Sequence, residues 1–281
     1  MIIDFHVHTF PAEIRDHRER FFDAEPEFKL LYEPPKSKLV SAEDIIDMMD
    51  DQGVDISVVF GFPWRTPATC RRNNDYVIEA VTKYPDRLRG FCCVDSLNPD
   101  AAEEVQRCLD AGLSGVGELA FYGCGIDGEC QLSLDPIMAL CRERDVPVLL
   151  HTNEEVGPFY PGKTPNTMIQ IYETMARFPD NTIVLAHWGG GIFFYHLLKK
   201  AVKETLKNVY YDTAASPFLY DSRIYRYAKE LVGLDKVLLG TDYPLLKPDR
   251  YIKEMNEAGL SHTDMDKVCG QSAARLLKMT D

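Results

Sequence analysis

His6 and His8 stand one residue apart in the opening segment MIIDFHVHTF. Ile2, Ile3, Phe5 and Val7 are β-branched or aromatic, so the segment reads as a buried strand. Residues i and i+2 of a strand share a face about 6–7 Å apart, so both imidazoles can reach one cation from one side. Alone, H-x-H is equally a pair of ordinary histidines. Its weight depends on whether other donors stand at matching places.

They do. Further apolar runs end in Glu118 (GVGEL), His151 (PVLLH), His187 (IVLAH) and Asp242 (LLGTD). Four of the seven histidines therefore stand at strand ends, while His17, His196 and His262 fall in loops or helices. Each taken singly has a structural explanation, as a core histidine, an ion-pair partner or a turn residue. Together they form a recurring placement of imidazole and carboxylate, a donor mixture that suits Zn²⁺, with Mn²⁺ or Fe²⁺ also accommodated.

The elements that must position them alternate. Strands are expected at the N-terminus, at VDISVVF, LRGFCCV, SGVGEL, VPVLLH, TIVLAH, NVYYDT and KVLLGTD. Helices are expected over 41–52, 74–84, 100–111, from Asp135-Pro136 onward, and over 167–177, 192–207, 222–232, 249–258 and 265–278. Ser41 with Asp44 marks a capping box, and Gly53 a stop. The stretch 9–40, with four prolines, reads as irregular. The strands are short continuous apolar runs, as in a parallel sheet buried on both faces. Eight β/α units in 281 residues predict an α/β fold, a (β/α)₈ TIM barrel forming one domain over 1–281. A doubly wound sheet would favour a G-x-G-x-x-G after the first strand, and none is present. Active-site groups of a barrel stand at the C-terminal strand ends, where this pattern lies.

The net charge of −13 argues against nucleic acid as a partner. No run is apolar and long enough to span a bilayer, and no secretory leader is evident. Eight cysteines without a C-x-x-C pair read mainly as small core residues in a reducing, cytoplasmic setting. Cys124 and Cys130, flanking the loop GCGIDGEC, are the pair open to a redox or metal role. The expected partner is a small anionic molecule, and a homodimer is admitted.

MIIDFHVHTF, PVLLHTNE, IVLAHWGGG and LLGTDYP resemble the amidohydrolase superfamily, most closely the branch of aminocarboxymuconate-semialdehyde decarboxylase and the pyrone-dicarboxylate lactonases. KYPDRLRGFCCVD and GQSAARLLKM extend the likeness over nearly the whole chain. The resemblance implies metal ligation by His6, His8, His151 and Asp242, with His187 catalytic or on a second metal. GVGEL also resembles the TatD-like branch, in which a glutamate at the Glu118 position bridges two metals. Gln271-Ser272 departs from the asparagine usual at the last helix, where Ser272 is expected to cap instead.

In such a site Asp242 would shuttle a proton and His187 would stabilise developing charge. Metal-activated water would then attack an amide, lactone or ester of a small organic acid. Glu118 favours this hydrolase reading; a non-oxidative decarboxylase using the same site is the alternative. Arg65 is a candidate for gripping a substrate carboxylate, and Trp64 and Trp188 for lining the pocket. Gly189, Gly190 and Gly191 either present backbone N–H groups to an anion or simply allow a tight turn.

Overall fold

The computed structural model describes residues 1–279. Eight parallel strands run in sequence order around one sheet. They are β1 (Ile3–His8), β2 (Ile56–Phe60), β3 (Leu88–Cys92), β4 (Gly115–Leu119), β5 (Val148–Leu150), β6 (Ile183–Leu185), β7 (Val209–Asp212) and β8 (Val237–Leu238). The ends of the sheet meet: Phe5 N–H donates to the Leu239 carbonyl at 2.7 Å, and His8 N–H to that of Tyr243 at 2.9 Å. The structure is the expected (β/α)₈ barrel. Among the described residues, no helix is long and apolar enough to cross a membrane.

The helices are α1 (Ala12–Asp16), α2 (Pro26–Tyr32), α3 (Ala42–Gln52), α4 (Pro67–Lys83), α5 (Ala101–Asp110), α6 (Gly128–Arg144), α7 (Met168–Arg177), α8 (Lys200–Thr205), α9 (Ser216–Leu219), α10 (Ile224–Leu231), α11 (Pro248–Glu257), α12 (His262–Asp266) and α13 (Ser272–Leu276). Local chemistry fixes several boundaries. Ser41 and Asp44 form the capping box of α3, and Gly53 ends it at φ 68°, a left-handed conformation that costs glycine nothing. Thr167 and Gln170 form a second box at α7. A cluster of strand residues, including Ile3, Phe5, Val58, Phe60, Phe91, Leu149, Val184 and Leu238, is buried together with Ala273 of α13. A larger cluster joins other strand residues to the helices, among them Ile45, Val77, Val105, Ile137, Ile171, Tyr225 and Met255.

Six expectations need correction. The stretch 9–40 carries α1, α2 and a short 3-10 turn, with Phe10, Phe28 and Tyr32 packed against one another. α4 begins at Pro67, because Asn74 is no cap: its side chain is buried and bonds the Cys93 backbone in both directions, at 3.1 Å each. α6 begins at Gly128, capped by Asp127, and carries Pro136 inside it. The helix expected over 192–207 is broken. Residues 188–191 have φ of 60°, 63°, 60° and 94°, which interrupts a 3-10 segment over His187–Leu197, and only α8 is α-helical. At the chain's end a π-turn over Lys267–Gln271 separates α12 from α13. Ser272 lies inside α13, and its hydroxyl donates to the Leu234 carbonyl at 3.1 Å rather than capping.

Candidate metal centre

His6, His8, Glu118, His151, His187 and Asp242 converge at the C-terminal ends of β1, β4, β5, β6 and β8. Three overlapping triads have donor atoms within 4.8 Å of one another: His6–His8–Glu118, His6–His187–Asp242 and Glu118–His151–His187. Glu118 is central, with Oε2 3.6 Å from His6 Nε2 and 3.8 Å from His8 Nε2, and Oε1 3.0 Å from His151 Nδ1 and 3.5 Å from His187 Nε2. Asp242 Oδ1 lies 3.3 Å from His8 Nε2 and 3.7 Å from His6 Nε2. Both His187 and Asp242 have left-handed backbones, at φ 54° and 58°. Such a conformation costs a non-glycine residue roughly 1–2 kcal/mol and concentrates where a side chain must be aimed.

The outward nitrogens explain the aim. His6 Nδ1 pairs with Asp212 Oδ2 at 2.8 Å. His8 Nδ1 and His187 Nδ1 donate to the Gly61 and Ala214 carbonyls at 3.1 and 3.0 Å, and His151 Nε2 to the Gly162 carbonyl at 2.9 Å. Each ring thereby fixes its N–H on an acceptor and turns its other nitrogen, a lone pair in the neutral form, toward Glu118, and those of His6, His8 and His187 also toward Asp242. Lone pairs facing carboxylates repel unless protons or a cation stand between them. His6 Nε2 is moreover buried without a hydrogen-bond partner among the described residues. The residues fit a divalent cation, and outer acceptors of this kind orient and strengthen metal-binding imidazoles.

Without a cation, protons take its place. Burial alone would depress His6 and His187, but neighbouring carboxylates, Glu118 foremost, outweigh it and raise them to about 10 and about 9. Burial would likewise raise Glu118 and Asp242; the facing histidines hold both well below the usual carboxylate range.

Asp212 is the residue that sequence reasoning passed over. Its Oδ1 accepts from the backbone N–H of His187 and Ala214 at 2.9 and 3.0 Å, while Oδ2 holds His6. Its only signal was another acid at a strand end, in NVYYDT. Asp4 is a second such residue, accepting from Thr241 N–H at 2.9 Å and its hydroxyl at 2.5 Å, immediately before Asp242. Burial outweighs those bonds and pushes Asp4 up to about 7.

The remaining candidates lie outside the donor cluster. Arg65 is half exposed and paired with Glu27. Trp64 is enclosed, donating to Asn73 Oδ1 at 2.9 Å. Trp188 is enclosed too, donating to the Ser216 hydroxyl at 2.9 Å. A Cβ on Gly189 would crowd the Tyr211 ring, and one on Gly190 would overlap the Asn153 carbonyl, so close packing requires both glycines. Tyr122, which had no place in the sequence argument, lies over the cluster's edge, its ring 5.7 Å from that of His151 and stacked on Phe62.

The family model for Amidohydrolase matches residues 3–279. The chain belongs to the amidohydrolase family. Among its relatives in that family, gamma-resorcylate decarboxylase of Polaromonas sp. is 23% identical over 301 residues, covering 87% of this chain and 90% of that protein. The 2-amino-3-carboxymuconate-6-semialdehyde decarboxylase of Dictyostelium discoideum is 24% identical over 270 residues, covering 79% and 70%. A solved 5-carboxyvanillate decarboxylase from Novosphingobium aromaticivorans, complexed with manganese and 4-hydroxy-3-methoxy-5-nitrobenzoic acid, superimposes with a TM-score of 0.77 at 18% identity, over 99% of this chain and 96% of that one. A likeness this distant in sequence bears on the fold.

Proposed function

We propose that the protein is a metal-dependent, non-oxidative decarboxylase of a small aromatic or unsaturated carboxylic acid. The observation that carries this reading is that relatives spanning most of the chain are decarboxylases. It favours the alternative reading of the sequence over hydrolysis. The donor cluster is the site for that chemistry.

His6, His8, Glu118, His151 and Asp242 would hold the cation, Mn²⁺ or Zn²⁺, with His187 beside it. Such a cation supplies positive charge against which an anionic substrate can be held. In the net reaction the bond between the carboxyl carbon and its neighbour breaks, carbon dioxide leaves, and the electron pair stays on the substrate carbon, which takes up a proton. Asp242, aimed into the cluster by its left-handed backbone, carries that proton. His187 Nε2 faces the same space while its Nδ1 is fixed on Ala214, so it orients a substrate oxygen. The cage of Phe62 and Tyr122 beside His151 offers a flat apolar wall to a planar substrate. The glycine turn at 189–190 keeps backbone close to the same strand ends and remains a candidate contact for a substrate carboxylate.

One feature supports hydrolysis as a second reading. Glu118 reaches imidazoles on both sides, the geometry for a carboxylate between two cations.

The test is turnover of metal-loaded protein with 2,6-dihydroxybenzoate and 5-carboxyvanillate, alongside lactones and N-acyl amino acids. Carbon dioxide release with appearance of the decarboxylated ring supports the proposal. A ring-opened or deacylated product without carbon dioxide would establish the hydrolase instead.

A further inference from the structure

Beyond the metal cluster, one other group of chemistry-bearing side chains is drawn together. Cys124 and Cys130 have their sulfurs 3.0 Å apart, and an Asp127 oxygen lies within 4.8 Å of both. Among the described residues Cys124 is the only exposed cysteine, while Cys130 is buried in the first turn of α6. The segment 120–127 that brings them together leaves β4 directly after Glu118 and Leu119, and it carries Tyr122 onto His151 and Phe62. It is tied to the neighbouring strand's loop as well: Ile126 N–H donates to Asn166 Oδ1 at 2.9 Å, and Asn166 Nδ2 to the His151 carbonyl at 3.2 Å.

We propose that Cys124 and Cys130 form a reversible dithiol–disulfide site, closed by a low-molecular-weight disulfide, at the rim of the histidine cluster. The exposed Cys124 thiolate attacks one sulfur of the incoming disulfide RSSR, which expels one RS⁻ and leaves a mixed disulfide. Cys130 then attacks the Cys124 sulfur and expels the second RS⁻. The two thiol protons end on the two RSH molecules, so the protein loses two hydrogens and the small molecule is reduced. Asp127 stands where it can accept the Cys130 proton. Burial, with Cys124 and Asp127 beside it, holds the Cys130 thiol up, which reserves it for this second, intramolecular step.

A cation at the same three residues is the poorer occupant. Asp127 Oδ1 already accepts from the Glu129 and Cys130 N–H groups at 3.0 Å each, as the cap of α6. A disulfide requires the sulfurs to approach to about 2.05 Å with a Cβ–S–S–Cβ dihedral of about ±90°. That approach draws the segment bearing Tyr122 against the first turn of α6.

The full-length protein is equilibrated at graded ratios of reduced to oxidised glutathione, quenched with iodoacetamide and mapped by mass spectrometry. The expected result is that Cys124 and Cys130 lose alkylation together with one midpoint, that their peptides are cross-linked and lighter by two hydrogens, and that dithiothreitol reverses this. Cys130→Ser is expected to stop at a Cys124–glutathione adduct. Full alkylation of both cysteines at every ratio, or a stable Cys124–glutathione adduct in the unsubstituted protein, would overturn the proposal. Hydrogen exchange over 120–127 reads the coupling to the rim: altered protection in the oxidised form is expected, and identical exchange in the two forms would overturn that coupling.

Discussion

Asp212 Oδ2 lies 2.8 Å from His6 Nδ1, and this contact decides which nitrogen of His6 faces the cluster. Asp212 is completely buried on β7, while His6 belongs to β1, so the contact reaches past β8 and fixes the His6 ring. Replacing Asp212 with Asn is expected to weaken metal binding by about 10–100-fold, the usual effect of losing such an outer partner. Competition against a fluorescent chelator measures it. An unchanged metal affinity would remove Asp212 from the site.

The donor set was legible because its chemistry lies in residue type and chain position together. His6, His8, Glu118, His151, His187 and Asp242 each end a short apolar run, and barrel topology turns run ends into one ring. Asp212 ends a run too, but a solitary acid has no distinguishing chemistry until its partner is visible. Arg65 and Trp188 went the other way. Their types suggest recognition, yet tertiary packing gave Arg65 to Glu27 and enclosed Trp188 against Ser216, Phe193 and Tyr225. Of the helix expected after β6, only the stretch that forms α8 was legible. Ile192 to Lys207 has helical composition, but the left-handed run at 188–191 sets a direction that propensity does not encode.

Asp242→Asn keeps the shape and removes the carboxyl proposed to carry the proton to the substrate carbon. Turnover is expected to fall by about 10²–10⁴-fold, the range for loss of a general acid–base group. Circular dichroism and metal content separate this from misfolding or metal loss. A variant retaining both the metal and full turnover would assign the proton to another group.

Removing the cation should destabilise the fold as well as silence it. It leaves four imidazoles and two carboxylates facing one another with only protons between them. A site saturated at about 100 times its dissociation constant contributes about 2.7 kcal/mol. For a chain of this size that is a shift of several degrees in Tm. Scanning calorimetry with and without chelator is expected to show it, and addition of Mn²⁺ or Zn²⁺ to reverse it.

Gly190→Ala is expected to destabilise the protein by more than the ordinary cost of a left-handed alanine, about 1 kcal/mol, because the added methyl also meets the Asn153 carbonyl. Asn153 Oδ1 accepts from both the N–H and the hydroxyl of Thr164, at 2.8 and 2.6 Å, so the loop after β5 cannot move aside freely. Urea unfolding checks this. A variant as stable as the parent would show that the glycine turn has slack.

Glu104 gives the fold an acid-sensitive tie away from the cluster. Burial works against its charge, but Arg107, bonded at 2.8 and 2.7 Å, and Asn74, at 3.0 Å, outweigh it and hold the carboxyl below its ordinary 4.5. Because the folded value is the lower one, the stabilisation is fully present above pH 4.5 and disappears as pH falls through the folded value. The same Asn74 side chain bonds the backbone beyond β3, so protonation loosens α4, α5 and β3 together. The group is partly open to solvent, which limits the effect to about 1 kcal/mol. Glu104→Gln is therefore expected to be less stable than the parent at pH 7, and the difference to shrink in urea titrations as pH falls below 4.5. A constant difference between the two proteins across that range would mean that the carboxylate's charge contributes nothing and only its shape matters.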